Sequence, residues 1–127
     1  MARILIVEDD NQVRKMMRLS LEACGHQVSE AENGEEAVES CAACLPDLMI
    51  TDILMPVESG LMAIARVRKL SEELPILAIS GGGRNGRLNF LSTARTFPNV
   101  RTLGKPFDNK SFIRMVEELL GGSAATA

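Results

Sequence analysis

Short apolar runs alternate five times with longer amphipathic stretches along the 127-residue chain, and this alternation constrains the fold more than any other feature. A short apolar run is typical of a strand, and an amphipathic stretch of ten or more residues is typical of a helix. Repeated strand–helix units predict an α/β fold built on a parallel sheet. The chain length suits one domain with a single core.

The composition of the five runs separates central strands from edge strands. Residues 4–7, 48–50 and 76–79 are apolar throughout, as expected for strands that helices cover on both faces. Residues 27–31 and 100–104 mix polar and apolar side chains, so we predict that these two segments form the edges of the sheet.

Helices are predicted between the strands from apolar spacing and from terminating glycines. The predicted helices are one that stops at Gly25, one from near Gly34 to before Pro46, one at residues 58–70, one at residues 85–96, and one from the N-cap Asp108 to Gly121. We therefore predict a single domain over residues 1–121, followed by a short flexible tail at residues 122–127.

Charge and hydropathy narrow the classes of function. The net charge of −3 does not suggest a nucleic-acid or anionic-membrane surface. No apolar run approaches the length of about 18 residues needed for a membrane span, and the N-terminus lacks the features of a signal peptide.

The chain has three cysteines, an odd number, and we therefore expect a cytoplasmic, reducing location. The spacing of Cys41 and Cys44 allows redox or zinc chemistry, but ordinary apolar packing is favoured because no second Cys/His pair completes a metal site.

Polar residues stand at the ends of four predicted strands. They are Glu8, Asp9 and Asp10 after the first strand, Asp52 at the end of the third, Ser80 at the end of the fourth and Lys105 after the fifth. In a parallel α/β sheet the carboxyl ends of the strands share one edge, where ligands bind. These groups are therefore expected to converge, although Asp10 can equally serve as the N-cap of the first helix.

The chemistry of the converging groups favours phosphoryl transfer. Clustered carboxylates repel each other unless a cation lies among them, and Mg²⁺ commonly pairs one or two carboxylates with a phosphate. With Mg²⁺ or Mn²⁺ held by Glu8 and Asp9, Asp52 can act as a carboxylate nucleophile toward a phosphoryl group. Lys105 would add a second positive charge, and the Ser80 hydroxyl would add a hydrogen bond.

At these residues the sequence resembles the CheY-like receiver domain of bacterial two-component response regulators. The matching segments are ILIVEDD, DLMITDILMPVESG, PILAIS and LGKPF, and the resemblance extends over residues 2–120. It implies an α/β, flavodoxin-like, doubly wound sheet of five parallel strands in the order 2-1-3-4-5 with five helices. That order agrees with the edge strands predicted above.

The resemblance also implies a role for each site residue. Asp52 would be the phosphoacceptor and a metal ligand, Glu8 and Asp9 the other acidic metal ligands, Ile53 or Leu54 a backbone carbonyl ligand, Ser80 the switch hydroxyl and Lys105 the phosphate-pairing lysine. The implied protein is a phosphorelay switch that catalyses its own phosphorylation and slow autodephosphorylation. Its donor would be a sensor histidine kinase or a histidine phosphotransfer protein.

The implied output is the binding of a downstream protein through the fourth helix, the fifth strand and the last helix, with no direct contact to nucleic acid or membrane. The chain departs from the family at Thr102, where receiver domains usually carry an aromatic residue that moves with the switch hydroxyl. We therefore expect phosphorylation to reorder the glycine-rich loop at residues 81–86 and the fourth helix instead.

Three other functions are open to the same sequence. One is an unphosphorylated pseudo-receiver that acts as a protein-binding module, which Thr102 favours weakly. Another is a phosphatase of the haloacid-dehalogenase type, but those enzymes carry an acid two residues after the nucleophile, where this chain has Leu54. A third is a flavodoxin-like FMN binder, in which Glu8, Asp9 and Asp10 would repel the phosphate.

Overall fold

The fold is that of a computed structural model, which describes residues 2–53, 60–80, 99–104 and 107–122. Its strands are β1 (Arg3–Val7), β2 (Gln27–Ala31), β3 (Leu48–Asp52), β4 (Ile76–Ser80) and β5 (Val100–Gly104). Its helices are α1 (Asn11–Ala23), α2 (Gly34–Ala43), α3 (Gly60–Leu70) and α4 (Asn109–Glu117), and α4 continues into a π-helical turn at Glu118–Gly122.

All five strands form one parallel sheet in the order β2-β1-β3-β4-β5. This confirms the predicted strand order, with the two mixed-polarity segments at the edges and the three apolar runs in the centre. The predicted fourth helix at residues 85–96 lies outside the described residues, and α4 is the helix predicted to be last.

The sheet is covered on both faces because successive side chains of a strand point in opposite directions. Ile4 and Ile6 of β1 belong to a buried cluster with residues of α1 and α4, whereas Leu5 and Val7 belong to a second cluster with residues of α2 and α3. Both faces of the apolar strand β1 are thus packed against helices. This packing holds the carboxyl ends of the strands in fixed positions.

Capping residues define where the helices begin. Asp10 caps α1, and its Oδ1 accepts hydrogen bonds from the backbone N–H groups of Gln12 at 2.9 Å and Val13 at 3.2 Å. Asp108 caps α4 as predicted, through a 2.9 Å hydrogen bond from the backbone N–H of Ser111. The predicted helix stop at Gly25 is confirmed, with a φ of 91° that favours glycine.

The two cysteines of the CAAC segment have different surroundings. Cys41 is buried in the core, and burial raises the pKa of its thiol to about 11. Cys44 is exposed, and its Sγ accepts a 2.8 Å hydrogen bond from Nη2 of Arg3. The prediction of apolar packing is therefore confirmed for Cys41 and wrong for Cys44, because the helix ends at Ala43 and turns Cys44 outward.

Among the helices that the structure describes, none combines the length and apolar character needed to cross a bilayer.

Candidate functional site

Three carboxylates meet at the carboxyl ends of β1 and β3. One carboxylate oxygen from each of Glu8, Asp9 and Asp52 lies within 4.8 Å of the others; we call these three residues the acid cluster. The strands are neighbours, with Val7 opposite Thr51, so the residues that follow this pair come to the same edge. Glu8 is 1% exposed and Asp52 is 7% exposed, whereas Asp9 is open to solvent.

The backbone around Glu8 is held by hydrogen bonds on both sides. Its N–H donates to the carbonyl of Ala31 in β2 at 3.1 Å, which continues the sheet ladder one residue beyond β1. Its carbonyl accepts a buried 2.7 Å hydrogen bond from Nη1 of Arg14. Its carboxylate Oε2 accepts from the backbone N–H of Asp10 at 3.1 Å. The direction of this side chain is therefore set before any ligand binds.

Asp52 is held by the strands on either side of it. It is the last residue of β3 and lies opposite Ile79 of β4. The next residue, Ile53, donates its N–H to the carbonyl of Ile79 at 2.9 Å, and the buried Thr51 hydroxyl donates to the carbonyl of Asp52 at 3.0 Å. A central strand thus presents this carboxylate at a defined point beside Glu8.

Asp10 differs from its two acidic neighbours in the contacts that its carboxylate makes. Its carboxylate caps α1 through the hydrogen bonds described above, so of the two roles considered for it the structure shows the cap.

The strand ladder brings one more predicted position to the same edge and places another in the middle of β5. Ser80 is the last residue of β4 and lies opposite Gly104, the last residue of β5. Thr102, two residues earlier in β5, lies opposite Ala78 and is half-buried. Lys105, Leu54, the loop at residues 81–86 and the Ser80 side chain lie outside the described residues, so their predicted roles remain predictions.

The acid cluster has the chemistry of a site for a hard divalent cation. All three groups offer carboxylate oxygens, the ligands that Mg²⁺ prefers. Two ligands of one octahedral Mg²⁺ at about 2.0–2.1 Å lie at most about 4.2 Å apart, and the three carboxylate oxygens already lie within 4.8 Å of one another. The residues present therefore fit the metal that the sequence analysis predicted.

Sequence analysis missed Arg14, which lies directly behind the acid cluster. This arginine is 9% exposed and, with Met17 and Leu21, forms the buried face of α1. Its spacing of three and seven residues from those two apolar residues is the helical period of a buried stripe. That spacing was the available signal, but an arginine is rarely assigned to a buried face.

Comparison with known proteins agrees with this architecture. The family model described as the response regulator receiver domain matches residues 4–117. The response regulator receiver protein CpdR of Brucella abortus is 32% identical over 120 residues, which are 94% of this chain and 98% of CpdR. The structure of the chemotaxis protein CheY4 of Vibrio cholerae superposes with a TM-score of 0.82 at 26% identity, and the match covers 94% of this chain and 98% of CheY4.

The parallel sheet with helices on both faces is a doubly wound α/β fold, and the chain belongs to the response regulator receiver domain family. The response regulator MprA of Mycolicibacterium vanbaalenii is 38% identical over 78 residues, which are 61% of this chain. The matched segment is 34% of MprA, so this relative is much longer than the region that it shares with the chain.

Proposed function

We propose that the protein is a phosphorelay response regulator in which Asp52 accepts a phosphoryl group. The observation that carries the proposal is the acid cluster, in which three carboxylates approach within 4.8 Å although two of them are buried. Like charges gathered in a region of low dielectric constant raise the free energy of the folded protein unless a cation binds among them. Such a cluster is suited to binding a divalent ion rather than to stabilising the fold.

In this proposal each residue has a separate task. Glu8, Asp9 and Asp52, with the backbone carbonyl of Leu54, would hold Mg²⁺ or Mn²⁺. The metal, when bound, neutralises charge on the phosphoryl oxygens. Asp52 supplies the nucleophilic oxygen, Lys105 pairs with the phosphate, and the Ser80 hydroxyl donates a hydrogen bond to it. The positions of Glu8 and Asp52 are set by the ladder between β1, β3 and β4.

We further propose that the phosphoryl donor is a sensor histidine kinase or a histidine phosphotransfer protein. The protein would catalyse both its own phosphorylation and a slow hydrolysis, and the receiver domain would extend over residues 1–121. A downstream protein would bind the face formed by residues 85–96, β5 and α4. Membership of the receiver family supports these proposals.

The test is intact-mass measurement after incubation with acetyl phosphate and Mg²⁺. We expect a gain of one phosphoryl group, lost when Asp52→Asn removes the nucleophile and lost again when EDTA removes the metal. The matched control is Asp47→Asn, since Asp47 precedes β3 at its opposite end and its Oδ2 accepts a 2.8 Å hydrogen bond from the N–H of Arg3. That variant should be phosphorylated like the unaltered protein.

A pseudo-receiver is the second candidate, and Thr102 is the observation that favours it. Strand β5 has the sequence VRTLG, with no aromatic side chain to move with a switch hydroxyl. If neither acetyl phosphate nor a phosphohistidine donor labels the protein, the proposal of a phosphorylated switch is wrong and the pseudo-receiver is preferred.

A further inference from the structure

The Arg14 guanidinium joins three elements behind the acid cluster. Nη1 donates to the carbonyl of Glu8 at 2.7 Å, Nε donates to Oε1 of Glu30 in β2 at 2.6 Å, and Nη2 donates to Oδ1 of Asn11 in α1 at 2.5 Å. A guanidinium is a rigid planar group with donors in fixed directions. Contacts made by all three of its nitrogens therefore determine both its position and its plane.

The contact with Glu8 reaches two residues of the acid cluster at once. The carbonyl of Glu8 belongs to the planar peptide group that joins Glu8 to Asp9. The hydrogen bond from Arg14 therefore fixes the plane of the peptide that connects these two residues of the acid cluster. On its other side the N–H of Glu8 donates the 3.1 Å hydrogen bond to Ala31, so hydrogen bonds hold the backbone on both sides of Glu8.

The charge of Arg14 is balanced by Glu30, a carboxylate of β2 outside the acid cluster. Glu30 accepts hydrogen bonds from both Arg18 and Arg14, and these hydrogen bonds lower the pKa of its carboxyl below the usual value. Glu30 is therefore ionised near neutral pH and offsets the positive charge of Arg14. An arginine paired in this way can orient the backbone of Glu8 while adding little repulsion toward a cation.

We propose that Arg14 is a positioning residue of the magnesium site: its hydrogen bond to the Glu8 carbonyl sets the direction of Glu8 and Asp9, so that their carboxylates reach one ion together with Asp52. This inference rests on the proposed function, because it assumes that the acid cluster binds the metal. Residues that orient metal ligands typically change metal affinity by about 10- to 100-fold when they are replaced.

The experiment is calorimetric titration of Mg²⁺ into the unphosphorylated full chain, comparing Arg14→Lys with Arg18→Lys. Both variants keep the charge and both alter a partner of Glu30, but only Arg14 contacts the Glu8 carbonyl. A lysine ammonium cannot span three acceptors in the geometry of a guanidinium. We expect Arg14→Lys to weaken Mg²⁺ binding by about tenfold or more, and Arg18→Lys to change it by less than about twofold.

Thermal unfolding in EDTA separates positioning from a purely structural role. If Arg14→Lys lowers the melting temperature but leaves Mg²⁺ affinity unchanged, or if the two lysine variants lose affinity equally, the inference is overturned. Should Arg14→Lys fail to fold, Asn11→Ala removes one contact of the same guanidinium at the exposed start of α1. That variant should weaken Mg²⁺ binding in the same direction by a smaller factor, and an unchanged affinity would overturn the inference.

Failure of the proposed function would give a different experimental result from failure of this inference. If the unaltered protein binds no Mg²⁺, the metal site itself is wrong and the inference fails with it. If the unaltered protein binds Mg²⁺ and the Arg14 variants bind it equally well, only the role of Arg14 is wrong.

Discussion

Both ends of the sheet bury charged groups, but the groups have opposite surroundings: backbone carbonyls at one end and like charges at the other. At the amino ends of β4 and β5, Arg68 is 7% exposed, and its guanidinium donates to the carbonyls of Ser71 at 2.9 Å, Leu74 at 2.6 Å and Asn99 at 3.3 Å. At the carboxyl ends, the acid cluster brings charges of the same sign together. A charge solvated by the protein's own backbone stabilises the fold, whereas a group of like charges provides a place for an ion.

Arg68 and its neighbour Asn99 hold together the amino ends of β4 and β5. Burial lowers the pKa of its guanidinium below the usual value, although the group remains charged because the usual value is so high. Asn99 adopts a left-handed φ of 58°, and its side chain donates to the carbonyl of Glu72 at 3.0 Å. The connection into β5 is therefore tied to the end of α3 by hydrogen bonds.

The largest effect that we expect is the loss of stability in Arg68→Met. This change leaves the carbonyls of Ser71 and Leu74 without the donor that Arg68 supplies, at a cost of about 2–3 kcal/mol in the free energy of unfolding. Urea unfolding followed by circular dichroism measures the loss, and Mg²⁺ affinity should not change. Lys69→Met, at the adjacent exposed position, is the control. Equal stability of the two variants would show that Arg68 is not the residue that holds this end together.

The next effect is a loss of metal affinity without a loss of stability in Asp9→Asn. Asp9 is exposed, so removing its charge should not lower the free energy of unfolding in EDTA, and the relief of repulsion within the acid cluster should raise it. Losing one carboxylate ligand should weaken Mg²⁺ binding about tenfold, which corresponds to about 1.4 kcal/mol. Calorimetric titration measures this change.

Asp10→Asn is the matched control for Asp9→Asn. It makes the same chemical change one residue later, but Asp10 caps α1, and asparagine is an equally good N-cap. Its Mg²⁺ affinity should stay close to that of the unaltered protein. Equal losses in the two variants would mean that the general negative charge, rather than a ligand set, attracts the metal.

The smallest effect that we expect is a pH-dependent loss of stability in Glu30→Gln. Glu30 is an acid paired with two arginines, and it lies outside the acid cluster. Hydrogen bonds from Arg18 and Arg14 lower the folded-state pKa of Glu30. The folded protein therefore gains stability from Glu30 above the usual glutamate pKa of about 4.3 and loses it as the pH falls through the lower folded value. Glu30→Gln should remove about 1 kcal/mol at neutral pH.

The measurement is urea unfolding in EDTA across the acidic range. The gap in stability between the unaltered protein and Glu30→Gln should close below about pH 4, because protonated glutamate resembles glutamine. Glu22→Gln, which alters a more exposed partner of the same Arg18, should show a smaller gap. A gap for Glu30→Gln that stays constant with pH would contradict the role of its ionised form.

Sequence alone predicted most of the fold because the signals for it are local. Three continuous apolar runs marked central strands, and the ranges predicted for β2 and β5 coincide with the observed ones. The acid cluster was predicted for a related reason. Glu8, Asp9 and Asp52 come at strand ends in sequence, and a parallel sheet brings those ends to one edge.

The buried arginines could not be predicted in this way. Arg14 and Arg68 are polar residues on otherwise apolar helix faces, and their partners are backbone carbonyls and a carboxylate on other elements. A residue's type and spacing indicate which face it occupies, but they do not indicate which acceptors that face will meet. The prediction that Cys44 packs in the core was wrong for a similar reason, since the exact end of α2 decides whether this residue is buried.

The sequence by itself determined which strands are central and which are edges, the covered faces and the set of acids at the carboxyl edge, because these follow from hydrophobic periodicity and from the geometry of parallel strands. The full strand order was predicted from the resemblance to the receiver family. The tertiary structure alone decided that Val7 lies opposite Thr51, that Arg14 donates to the carbonyl of Glu8 and that Arg68 donates to the carbonyl of Leu74. Strand register and hydrogen bonds between distant elements depend on how the whole core packs, and no local pattern encodes them.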